Sequence, residues 1–484
     1  MLFSSTIFLF AFLPLVLSAY FLLRTTRWRN LLLLTASLFF YAWGETGYVA
    51  LLLLAIGYNY LFGLWIEAVR GRPAARVVLA LSVAGNLALL GAFKYANFAV
   101  DNLNLLLEAA GIASIELAPV HLPIGISFFI FQSLTYVVDI YRRDAPVQRN
   151  PLKVALYISL FPQLIAGPIV RYHQVAEQLL RRSADASEIA YGVRRFIVGL
   201  GKKVLIANTL AVPADRIFAL PAGELQPEVA WLGVICYALQ IYFDFSGYSD
   251  MAIGLGRIFG FRFPENFKHP YVADSVREFW RRWHISLSTW FRDYLYIPLG
   301  GSRCSRARTH ANLLAVFLLC GLWHGASWNF AVWGLIHGGF MVLERAGLGA
   351  LLARCWRPLR SLYVGLVVLV AWVFFRAETL EGALAYLGAM LGASGDGGLA
   401  HPLLLFVNRE IWLVLVLALV GATPWLPALE SWTARRIENR PRDTQMWIER
   451  GYAAGRFALL NLVLLGCAMS LASGTHNPFI YFRF

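Results

Sequence analysis

The segment Gly321-Leu322-Trp323-His324-Gly325-Ala326-Ser327-Trp328-Asn329 sets an imidazole inside the apolar run from Leu313 to Leu343. An ionisable side chain in water-poor surroundings is costly, which marks His324 as a candidate general base. The plainer alternative is a core histidine that donates to a backbone carbonyl and helps pack helices. His337, within the same run, would point about 220° away from His324 if both shared one helix, so it reads as a packing residue.

Three further groups carry chemistry-capable residues. Arg277 to Tyr294 holds Glu278 and Arg282 at helix-pair spacing, Trp283 and Trp290 on one stripe, and His284 beside that stripe. It reads equally as an interfacial amphipathic helix with an aromatic belt. Tyr242 to Asp250 contains the carboxylates Asp244 and Asp250 at the end of an apolar run. Without histidine or cysteine at ligand spacing they make a poor metal site, and no metal is expected. A structural use is preferred: capping a helix near Gly247, or pairing with an arginine of 262–310. Finally, Tyr481 lies in the hydrophobic tail. It is either an interfacial anchor or a phenolic acyl acceptor, since a phenol of pKa about 10 forms an ester with high transfer potential. There is no phosphate-binding G-x-x-x-x-G-K-[ST], no G-x-S-x-G and no H-E-x-x-H.

The elements that position these residues must be membrane helices. Of 484 residues 59% are hydrophobic and only 14% charged, and the mean hydropathy is +0.60, which excludes an ordinary soluble domain. Uncharged runs near 5–23, 30–43, 46–66, 77–93, 122–138, 312–343, 361–375, 411–429 and 457–473, with interrupted ones near 154–170, 196–214 and 228–246, predict an all-α polytopic protein. About ten to twelve membrane helices are expected, re-entrant segments included. Pro162, Gly167 and Pro168 make 153–172 a re-entrant candidate, and 262–310 is too charged to span. No internal repeat or large polar stretch divides the chain, so 1–484 reads as a single integral membrane domain.

Met1 to Leu23 reads as a first span, not a cleavable signal. Arg24, Arg27 and Arg29 follow it, then Arg70, Arg72 and Arg76, and the arginines of a final loop at 430–456. The positive-inside bias then puts both termini on the outer side. The same bias accounts for the net charge of +14 without nucleic acid. Five cysteines show no pairing or zinc spacing.

Phe93-Lys94-Tyr95-Ala96-Asn97-Phe98, Leu122 to Phe128, Ile165-Ala166-Gly167-Pro168, Tyr242 to Gly254, Glu278 to Trp290, Gly321 to Ala326 and the Phe479-Ile480-Tyr481-Phe482 tail occur in this order along nearly the whole chain. In this the chain resembles the membrane-bound O-acyltransferase family, in particular its bacterial branch typified by the membrane subunit of alginate O-acetylation. The resemblance implies a ring of helices around a central funnel and tunnel. It makes His324 the central catalytic histidine and His284 the second. It also implies acetyl-CoA as cytosolic donor with no bound cofactor, a bacterial inner-membrane location, and a periplasmic acetyltransferase partner that modifies an exopolysaccharide. On that reading the donor phosphates would meet Lys268, Arg281, Arg282, Arg303, Arg306 or Arg308, residues that serve equally as plain cytoplasmic charges. Peptidoglycan and cellulose acetylation subunits share the pattern. A transporter or flippase, or a scaffold that only recruits the outer enzyme, remains the alternative from another class.

Overall fold

The computed structural model describes residues 1–393, 401–437 and 440–474. Among these residues the secondary structure is helical, with no strand. Among the described residues seven helices are long and apolar enough to cross a membrane: Thr46–Ala68, Ala74–Lys94, Ala186–Phe218, Pro227–Ile258, Trp328–Leu352, Arg357–Arg376 and Arg442–Ala472. An eighth span results if the pair Arg409–Gly421 and Trp425–Ile437, bent by 59°, counts as one.

This corrects the expected ten to twelve helices, and the ring around a funnel and tunnel is not the arrangement either. The middle is occupied by Pro227–Ile258, whose apolar stretch is 89% buried within the protein, against 6% for the peripheral Arg442–Ala472. The overcount has a physical cause. Hydropathy reports that a stretch avoids water, not whether it meets lipid or protein. The run at 122–138 becomes the helix Ile126–Arg142, with 14 side chains buried against neighbours. The run at 153–172 becomes the short helices Pro151–Ser159 and Phe161–Leu164, buried throughout apart from the exposed start of the first. The first run yields only the shorter apolar helix Phe8–Leu22.

Two other expectations change. The supposed loop at 430–456 is helical on both sides of 438–439, and Arg442–Ala472 runs unbroken for 31 residues. At 1.5 Å per residue that is about 46 Å, longer than a bilayer core, so its first turns stand clear of the hydrocarbon. The run containing His324 and His337 is two helices, Arg306–His324 and Trp328–Leu343, so a rotation within one helix does not apply.

Glycine lets the central helices approach closely. A Cβ on Gly247 would lie 2.7 Å from the carbonyl oxygen of Gly199, and one on Gly254 2.6 Å from that of Gly192. Pairing 192 with 254 and 199 with 247 makes Ala186–Gly201 and Pro227–Ile258 antiparallel, in the small-residue contact that membrane helices favour. The hairpin that carries His324 uses the same device. A Cβ on Gly321 would lie 2.1 Å from the Phe330 carbonyl oxygen, and one on Gly334 2.2 Å from that of Phe317.

Candidate active site

His324 is the last residue of Arg306–His324, and Gly325 leaves the helix in an extended conformation. The end of a helix exposes carbonyls that need donors. Here they are met from the far side of the sequence. Tyr95 Oη donates to the Leu322 carbonyl at 2.7 Å. The Lys94 ammonium donates to the carbonyls of Trp323 and, at 3.2 Å, His324, and to Ser127 Oγ at 3.3 Å. Three acceptors match the three donors of an ammonium, and a cation suits a helix C-terminus. The backbone under His324 is thereby clamped, and the ring lies among aromatic side chains. Its centroid lies 4.8 Å from Trp323, 5.0 Å from Trp333 and 5.3 Å from Phe375. His324 Nδ1 has no hydrogen-bond partner among the described residues.

His284 sits between the short helices Val276–Arg282 and Ile285–Phe291, in left-handed backbone with φ 43°. Its ring Nδ1 lies 3.1 Å from Asn266 Oδ1. That oxygen also accepts from Ser286 N at 3.2 Å and Ser286 Oγ at 2.8 Å, and Asn266 Nδ2 donates to Ser249 Oγ at 2.9 Å. The amide is oriented by these contacts, so Nδ1 carries the proton and Nε2 the lone pair. Nε2 has no partner among the described residues. The segments are laced by Ile285 N to Asn266 O and Lys268 N to Arg282 O, both 2.9 Å. Ile169 N donates to Ser286 Oγ at 3.0 Å, tying in the broken 153–172 segment.

The two histidines are 40 residues apart in sequence, yet their ring centroids lie 6.5 Å apart. His284 is fully buried and His324 keeps 5% of its surface. His337 is separated from this pair by Trp333, which lies 5.0 Å from each of His324 and His337, and it stacks on Phe279 at 6.0 Å. The aromatic residues of 277–294 are not an interfacial belt: Trp280, Trp283 and Trp290 are buried in the core.

The cations proposed for the donor fall into two groups. Lys268, Arg281 and Arg282 lie on the segments that hold His284. Arg282 pairs with Glu278 at 2.7 Å and donates to the Lys268 carbonyl at 3.2 Å, and Arg281 reaches Glu278 only at 3.7 Å. Arg303, Arg306 and Arg308 are exposed near the start of Arg306–His324, about 27 Å along the helix from His324. Tyr481 lies outside the described residues. The carboxylates Asp244 and Asp250 are inside Pro227–Ile258, capping nothing. Their partners come from 195–203, not 262–310: Lys203 is 2.8 Å from Asp244, and Lys202 and Arg195 are 2.7 and 2.8 Å from Asp250.

Sequence reasoning missed Asn266 as the anchor of His284, and it missed the task of Lys94. Lys94 had a signal, a lone cation closing the run 77–93. Asn266 had none, since it lies in irregular backbone where periodicity is silent.

Comparison with known proteins adds an independent line. A model of the membrane-bound O-acyltransferase family matches residues 138–377, which include Asn266, His284 and His324. A probable alginate O-acetylase, AlgI, of Pseudomonas putida is 44% identical over 499 residues, spanning 100% of both chains. The peptidoglycan O-acetyltransferase of Helicobacter pylori is 36% identical over 527 residues, 100% of this chain and 98% of that one. The teichoic acid D-alanyltransferase of Bacillus subtilis is 30% identical over 231 residues, 45% of this chain and 58% of that one.

Proposed function

The chain belongs to the membrane-bound O-acyltransferase family and is a multi-pass membrane O-acyltransferase, and from that premise we propose that it passes acetyl groups from cytosolic acetyl-CoA to the outer side of the bacterial inner membrane for O-acetylation of an alginate-like polysaccharide. The choice of polymer is supported by the higher identity to probable alginate O-acetylases, 44% against 36% for the peptidoglycan enzyme. The whole of 1–484 acts as one membrane domain; both termini face outward, with the bent pair Arg409–Gly421 and Trp425–Ile437 counted as the eighth crossing, and a periplasmic acetyltransferase completes the transfer.

The observation that carries the chemical reading is the buried histidine pair, each ring with one nitrogen unpartnered among the described residues. His324, the residue of the pair that keeps some surface, takes the proton of an incoming hydroxyl. The hydroxyl oxygen adds to the thioester carbonyl, the carbon–sulfur bond breaks, and the proton passes from the imidazolium to the departing thiolate. The products are an acetate ester and CoA. His284, with Nδ1–H spent on Asn266, offers a lone pair at Nε2 and no proton. A neutral ring in that state cannot donate to the thioester carbonyl, so it positions a proton-bearing group, the hydroxyl or the His324 ring. Lys268, Arg281 and Arg282 hold the donor's phosphates on the His284 side, and Arg303, Arg306 and Arg308 form a more distant positive surface. The acceptor is Tyr481 or a hydroxyl of the partner protein.

The test is CoA release from acetyl-CoA by the purified full-length chain, with a hydroxyl acceptor supplied. The wild type releases CoA and His324→Ala does not, while inserting and accumulating normally. Full release by His324→Ala overturns the reading. Replacing Tyr481 by Phe then separates the acceptors: unchanged polymer acetylation assigns the acetyl to another group.

A further inference from the structure

A cavity of about 410 Å³ lies where Thr46–Ala68, Ala74–Lys94 and Ile126–Arg142 end or begin, and Arg70, Arg72, Arg76 and Arg143 line it. Glu67 pairs with Arg70. Arg72, Arg76 and Arg143 have no acidic partner among the described residues. Guanidinium groups of like charge repel unless an anion sits between them, and their planar forks match phosphate oxygens.

Two backbone features point the same way. The helix Ala74–Lys94 begins at the cavity with no side-chain cap; Ala75 N and Arg76 N are taken by the carbonyls of Arg72 and Pro73, so the helix start contributes the positive end of its dipole there. Arg143 is in left-handed backbone at φ 69°, a conformation that favours glycine at a helix end. An arginine occupies it with its side chain on the cavity wall.

We propose that this cavity binds a phosphate-bearing anion, and the surroundings favour the headgroup of an anionic phospholipid. The adjoining helices are both long enough to span, so the cavity sits where their apolar length ends. Leu61, Trp65, Val77 and Leu81 are exposed on their outer faces, leaving a greasy track for an acyl chain beside the basic mouth. The residues are separate from the histidine site: Arg76 and Lys94 stand at opposite ends of one helix, about 27 Å apart.

The experiment uses the purified full-length chain in a neutral detergent. It is equilibrated in turn with phosphatidylglycerol, phosphatidylcholine, CoA and inorganic phosphate, and retention is read by native mass spectrometry. The wild type retains phosphatidylglycerol over phosphatidylcholine. The variant R72Q/R76Q/R143Q retains about tenfold less or weaker still. Arg72→Gln alone, on the exposed turn, gives a smaller loss and guards against a triple variant that fails to fold. Glu67→Gln, which releases Arg70, retains more lipid than wild type, a gain that misfolding does not produce. Loss of CoA or phosphate retention in place of lipid upholds the site and assigns it to a soluble phosphate. Equal retention of all four probes by wild type, Arg72→Gln and the triple variant overturns the proposal.

Discussion

Two buried polar clusters in this molecule look alike in sequence and differ in what they leave unfinished. Around Asp244 and Asp250, each carboxylate has a cation within 2.8 Å: Lys203 for the first, Lys202 and Arg195 for the second. Around His284 and His324, each ring keeps a nitrogen with no partner among the described residues, in a nest of tryptophan and phenylalanine. A matched ion pair holds helices in register and has little left to offer a substrate. An unmatched ring nitrogen in a low-dielectric pocket is expensive for the fold and useful for moving a proton.

The largest effect expected from this contrast is at His324. Replacement by Ala should lower acetyl transfer by about 10²–10⁴-fold with normal membrane insertion, read as CoA release per mole of folded protein. Next comes the ionic cluster. Asp244→Leu takes the carboxylate from Lys203, whose side chain is 3% exposed, and should cost about 3–5 kcal/mol, seen as a lowered melting temperature in detergent. The double variant Asp244→Leu, Lys203→Met should recover most of that stability together with activity. A double variant that is stable but inactive would make the carboxylate part of the chemistry and break the comparison. Asn266→Ala should reduce turnover about 10–100-fold by freeing the His284 ring, with Asn266→Asp, which keeps an oxygen acceptor, losing less. The smallest effect is Tyr95→Phe. It removes one hydrogen bond to the Leu322 carbonyl, about 0.5–1.5 kcal/mol, and should change turnover less than tenfold.

The sequence made the histidines conspicuous because each interrupts an apolar or aromatic stretch. It could not bring them together, since the segment between them passes through short helices, a loop and the helix Arg306–His324, and the anchoring of His284 depends on Asn266, Ser249 and Ser286 meeting. Pairing of Asp244 and Asp250 was foreseen as a type of interaction but assigned to the wrong partners. The lysines that answer them are the first two residues of a π-helical turn at Lys202–Ala207, whose wider winding no 3.6-residue pattern foretells. The helical class was plain from composition, whereas the number of spans was not. Ile126–Arg142 and Leu413 of Arg409–Gly421 are similarly apolar in sequence, yet the first is enclosed by protein and the second faces outward with 60% of its surface exposed.

Lys94 closes the end of Arg306–His324 with neutral oxygens alone. Carbonyl and hydroxyl groups orient the amine without supplying a counter-charge, so any proton it carries places an uncompensated positive charge against the His324 backbone. In an apolar interior its electrostatic potential decays slowly. A negative charge developing beside the end of this helix, as in thioester cleavage, would favour protonation of Lys94 and be stabilised by it in turn.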